Sequence, residues 1–190
     1  MILFVNACVR KNSRTRRLAE SLFSALNVSV EELRLIDYPF PQVDEDFLNK
    51  RDRLIKERDF SDPIFELARQ FSRADEIVIA APFWDLSFPA ALKQYIELIN
   101  VVGITFQYTA DGVPEGLCRA DRLYYVTTAG GEFFPENFGF GYVKSLAENF
   151  YGIRNVELIK ATGLDIDGAK EEQILLACEE EINRRFRPVG

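Results

Sequence analysis

At 190 residues, 47% of them apolar, the chain is sized for one domain with an ordinary core and shows no compositional sign of disorder. Its net charge of −7 repels phosphate backbones, so nucleic acid is not expected as a partner despite the basic run VRKNSRTRR at 9–17. There is no histidine, which removes Ser-His-Asp and Cys-His catalysis and the usual zinc sites, and no metal is expected.

The first predicted element is a strand over 2–9 (ILFVNACV), a continuous apolar run typical of a strand covered on both faces. It starts apolar and turns basic only later, the reverse of a secretory signal. Leu18, Ala19, Leu22, Phe23 and Leu26 recur at helical spacing through 14–26. A second strand, nearer an edge, is predicted at 28–35, then a proline-containing loop at 37–44 and two helical pieces at 45–58 and 62–72. The third strand spans 75–81. The next helix spans 88–101, with Ser87 placed as its cap and Pro89 in its first turn. Residues 104–117 read as an excursion turning at Asp111-Gly112. A fourth strand follows at 122–131, a helix at 138–151, a fifth strand at 155–164 and a charged amphipathic helix at 168–186.

Five strands alternating with helices predict an α/β fold: a doubly wound five-stranded parallel sheet, order 2-1-3-4-5, with helices on both faces. Ligands of such sheets bind outside the carboxyl ends of the strands. Three scattered cysteines, Cys8, Cys118 and Cys178, form no CxxC pair, and no apolar run approaches the roughly 18–20 residues of a membrane span. A soluble cytoplasmic protein with reduced thiols is the expectation.

Three loops fall on the predicted rim. In RKNSRTRR (10–17), Ser13, Thr15 and the opening turn of a helix offer hydroxyls and unpaired N–H groups for a phosphate; an ordinary Asn12 or Ser13 cap with solvated arginines explains the same residues. In PFWDLSFP (82–89), Phe83 and Trp84 offer a wall for a planar ligand, or pack under a neighbouring loop, and Phe88 aligns with core positions Leu92 and Tyr95. In TTAGGEFF (127–134), Gly130-Gly131 admits close backbone approach, though most glycine pairs mark turns. Together they match the phosphate, ring face and ring edge of a flavin mononucleotide. Cys8, and Tyr124 and Tyr125 one toward each face, read as packing.

The segment DEIVIAAPFWDLSFPAALKQYIELINVVGITFQYTADGVPEGL (75–117), with TTAGG (127–131) and NSRT (12–15), resembles the flavodoxin-like NAD(P)H-dependent oxidoreductases, in particular the FMN-dependent NADH azoreductases and quinone reductases. The resemblance covers nearly the whole chain and implies one flavodoxin-like FMN-binding domain over 1–190. It implies that Ser13, Arg14 and Thr15 hold the FMN phosphate. Phe83, Trp84, Asp85 and Leu86 would run along the ribityl chain and ring, with Thr128, Ala129, Gly130 and Gly131 at the ring's other side. It further implies a homodimer, with Tyr108 and Phe150 in the substrate pocket over the flavin. The chain departs from the family at Ala129, often arginine there, at Asp85, often asparagine, and in the loop 130–139.

The activity implied is two-electron transfer from NADH or NADPH to a quinone or azo-type acceptor by a ping-pong mechanism. The flavin carries the chemistry, so no catalytic side chain is required. Two alternatives stand beside it. One is a flavodoxin-type single-electron carrier, whose tight Thr/Ser-Gly-Thr phosphate loop is absent here. The other is a flavin-free α/β binding domain; a phosphoacceptor would want clustered acids where this chain has Asn6-Ala7-Cys8.

Overall fold

The computed structural model describes residues 1–187. The chain begins with β1 (Ile2–Asn6), α1 (Arg14–Leu26), β2 (Val30–Arg34), α2 (Glu45–Glu57), α3 (Glu66–Arg73), β3 (Glu76–Ala80) and α4 (Ala90–Ile99). A short antiparallel hairpin of β4 (Phe106–Tyr108) and β5 (Pro114–Gly116) follows. The remainder is β6 (Arg122–Thr128), α5 (Phe140–Leu146), β7 (Asn155–Ala161) and α6 (Glu171–Phe186).

The five long strands form one parallel sheet in the order β2-β1-β3-β6-β7, which is the predicted order once the hairpin is set aside. Apolar side chains alternate between the two faces of its central strands. Leu3 and Val5 of β1 and Tyr125 of β6 join the core shared with Phe71 and Tyr95. Phe4 and Tyr124 point the other way, into a core built with Leu18 and Leu22 of α1 and Leu175 of α6. The central strands are therefore covered on both sides, which is why they read as continuous apolar runs. Charged α6 covers the sheet on the α1 side and leaves its acidic residues outside.

Several boundaries differ from the sequence reading for local reasons. The first strand stops at Asn6 rather than at residue 9, because the Asn6 carboxamide oxygen accepts the Cys8 N–H at 2.9 Å and turns the chain. The fourth strand stops at Thr128, leaving Gly130 and Gly131 in the loop beyond it. Ser87 does not cap α4: Pro89 occupies that position, while the Ser87 N–H is held by the Trp84 carbonyl at 2.7 Å. The helix expected over 138–151 shifts to a π turn at Ala147–Tyr151, ended by Gly152 in the left-handed region.

That π turn receives the hairpin. A Cβ on Gly116 would stand 2.1 Å from the Gly152 nitrogen and 2.2 Å from the Tyr151 carbonyl carbon, both backbone atoms with no freedom to rotate away. Gly116→Ala is expected to destabilise the fold by about 2–3 kcal/mol, the cost of overpacking a close contact. Urea unfolding of parent and variant measures it; equal midpoints would show that the hairpin does not dock on this turn.

Candidate functional site

The carboxyl ends of β1, β3, β6 and β7 open onto a cleft of about 400 Å³, within the size range of small-molecule sites. Ser13, Arg14, Thr15, Phe83, Trp84, Thr128 and Gly130 line it, so one cleft collects residues from all three predicted loops. Asp85, Leu86, Ala129 and Gly131 sit beside these in the chain without lining it. Tyr108 and Phe150 lie outside it; both rings pack on Phe106, with centroids 5.5 and 4.7 Å away.

The first wall is the start of α1. Ser13 is the N-cap, its Oγ accepting the Arg16 N–H at 3.3 Å. Its hydroxyl also lies against the Cys8 sulfur, and the amides of Arg14 and Thr15 meet no protein acceptor among the described residues. The cap and the anion seat are thus compatible in one residue. The Thr15 hydroxyl is buried and paired with that of Thr128 at 2.6 Å, which fastens α1 to the end of β6. Below, the Asn6 amide donates to Glu32 at 2.7 Å, and Glu32 in turn accepts from Arg16 at 3.1 Å. Arg17 is bound to Glu172 and Glu179 of α6. Of the basic run, only Arg10 and Arg14 face the cleft.

The second wall is a two-residue turn. Trp84 and Ser87 exchange backbone hydrogen bonds, and the residues between them, Asp85 (φ 49°) and Leu86 (φ 67°), both lie in the left-handed region. Such a turn favours Asn, Asp or Gly at its first position, which suits Asp85, whereas a leucine there is strained by about 1–2 kcal/mol. Strain of this kind collects at functional sites. The turn holds Trp84 out with 42% of its surface exposed. Phe83 is half-buried instead, its ring 4.5 Å from Phe134 of the loop after the glycine pair. Of the two readings of these aromatics, packing under a loop describes Phe83 and an open wall describes Trp84. Phe88 packs at the edge of the core beside Tyr142.

Cys8 is buried beneath this site, its thiol donating to the Ala80 carbonyl at 3.7 Å. Burial raises its pKa, which keeps it an unreactive packing residue.

Two lining residues were missing from the sequence reading: Asp165, beyond β7, and Glu171, at the start of α6. Arg14 donates to both oxygens of Asp165, at 2.7 and 3.2 Å, and to Glu171 at 3.3 Å. The hydrogen bond and charge of Arg14 hold the Asp165 carboxyl below the usual aspartate range. The signal available in sequence was topological: the segment after the fifth strand must reach the same rim as the others. Gly130 serves this pair. A Cβ there would lie 2.3 Å from an Asp165 carboxylate oxygen, whereas one on Gly131 would meet nothing closer than 3.9 Å. Gly130 thus makes room for a carboxylate of the chain itself.

The profile described as flavodoxin-like fold matches residues 1–186. This chain belongs to the flavodoxin-like fold family. Within the family it is 33% identical over 181 residues to the FMN-dependent NADH:quinone oxidoreductase of Clostridium perfringens strain ATCC 13124, covering 90% of both chains. It is 34% identical over 184 residues to the protein of the same name from Coprothermobacter proteolyticus, again covering 90% of each. The crystal structure of azoreductase from Bacillus anthracis superposes with a TM-score of 0.82 at 29% identity, over 96% of both chains.

Two measurements check the local physics of this site. Leu86→Gly relieves the left-handed strain and is expected to raise stability by on the order of 0.5–1 kcal/mol, read from chemical unfolding; a loss would mean that the leucine side chain holds the turn. The lowered pKa of Asp165 contributes stability above its ordinary pKa of about 3.9, lost as pH falls through the lower folded value. The stability gap between parent and Asp165→Asn is therefore expected at neutral pH and to shrink as pH drops below about 4. A gap that persists in acid would show that the ion pair is not its source.

Proposed function

We propose that the chain is an FMN-dependent NADH:quinone oxidoreductase that also reduces azo compounds, working as a homodimer in the cytoplasm. The observation that carries this is the meeting of an open helix N-terminus and an exposed tryptophan wall in one cleft at the carboxyl ends of the strands. The names of the similar oxidoreductases support it.

The residues present fit FMN. The unpartnered amides of Arg14 and Thr15, the hydroxyl of Ser13 and the Arg10 and Arg14 guanidiniums are the donors a phosphate needs. Phe83, Trp84, Asp85 and Leu86 would follow the ribityl chain and ring, with Thr128, Ala129, Gly130 and Gly131 opposite. Held by these residues, FMN would supply two-electron transfer between NADH or NADPH and a quinone or azo acceptor, with ping-pong kinetics as the expectation.

The protein's part is placement. Trp84 gives one ring face an apolar support and excludes water from it. The strained turn fixes where Trp84 stands, and the Phe83 N–H, bonded to the Thr128 carbonyl at 3.0 Å, ties that turn to the end of β6. Phe134 sets the Phe83 ring, and Lys160 sits 5.0 Å over Phe134. Tyr108 and Phe150, clustered on Phe106 outside the cleft, serve the site of a second copy. Three free cysteines suit a reducing compartment.

The purified protein loaded with FMN is expected to lose its visible flavin absorption on anaerobic addition of NADH and regain it with a quinone; flavin that stays oxidised under NADH contradicts the reading. Trp84→Ala is expected to weaken FMN binding by roughly tenfold, about the worth of one aromatic contact. Fluorescence titration measures it, and an unchanged affinity removes Trp84 from the site.

A further inference from the structure

Two carboxylates, Asp165 and Glu171, line the cleft that offers a seat for a phosphate. Both NH1 hydrogens of Arg14 are spent on them, and one NH2 hydrogen is spent on Asp165. The charges of Arg10, Arg14, Asp165 and Glu171 sum to zero, so the cleft has no surplus cation for a group carrying about −1.5 to −2. Carboxylate and phosphate oxygens are both acceptors at neutral pH, and neither can bond the other.

Asp165 is also placed by design of the backbone. Its N–H donates to the Gly130 carbonyl at 2.9 Å, and its side chain passes where a Cβ on residue 130 would be. Gly130 does not have the positive φ that would by itself demand glycine. A side chain at 130 would therefore displace the Asp165 carboxylate from its present place beside Arg14.

From this geometry we propose that Asp165 is an internal stand-in for the flavin phosphate: it holds Arg14 and competes with the phosphate for that guanidinium. The inference rests on the FMN reading above and adds a residue that sets how strongly FMN is preferred over unphosphorylated riboflavin. Asp165 must yield Arg14 when a phosphate enters. A positioning role, in which Asp165 aims Arg14 at the phosphate, predicts the opposite sign.

The test compares FMN with riboflavin on the full chain stripped of flavin, by quenching of flavin fluorescence, so that changes in the ring pocket cancel in the ratio of affinities. Asp165→Asn and Asp165→Ala are each expected to raise the FMN-to-riboflavin ratio by roughly fivefold, the worth of one unit charge removed at contact distance in water. Gly130→Ala is expected to move the ratio the same way by pushing Asp165 off Arg14. A ratio that stays constant or falls in the Asp165 variants overturns the inference while leaving FMN binding intact. A parent chain that binds neither flavin overturns the functional reading and this inference with it.

Discussion

Parallel pairing in register is the constraint on which the site depends. Asn6 stands opposite Ala80, Ala80 opposite Val126 and Val126 opposite Ile159, so four strands reach the same level together. The chain leaving each strand must turn at one rim, and α1 and α6 pack into the same core on one side of the sheet. Contacts between residues far apart in sequence follow from this. Thr15 meets Thr128, Phe83 hangs from Thr128, and Arg14 reaches Asp165. The first two follow from strands in matched register, and the third also needs the missing Cβ at Gly130.

On that frame the cleft combines backbone with side chains. Its donors include amides at a helix start, and its aromatic wall is held by a turn whose two central residues lie in the left-handed region. This is the arrangement expected where a bound group carries the reaction and the protein supplies position and field. The charged side chains are mostly paired with one another, and those pairs lock α1 to α6 and to β2.

Much of this was legible in the sequence because it follows from period and punctuation. The apolar runs of β1, β3 and β6 announce buried strands, and Leu18 with Leu22 announces the inner face of α1. The sheet order followed from counting strands against helices. The ends of elements were less legible, since they are set by single hydrogen bonds: Asn6 to the Cys8 amide, or Trp84 to Ser87. Ser87 looks like a cap and is one side of a turn instead. Asp165 was invisible for a different reason. Its role comes from a partner 151 residues away and from an absent Cβ at Gly130, and neither leaves a local pattern. Gly130 itself was legible as a site of close approach, but the approaching group was not.

The central claim is that these bends form one cleft for FMN with its phosphate at the start of α1. A crystal structure of the chain with FMN measures this directly. The account predicts phosphate oxygens within hydrogen-bond distance of the Arg14 and Thr15 amides and the flavin ring against Trp84. A flavin bound elsewhere, or its phosphate turned away from α1 into solvent, would contradict it.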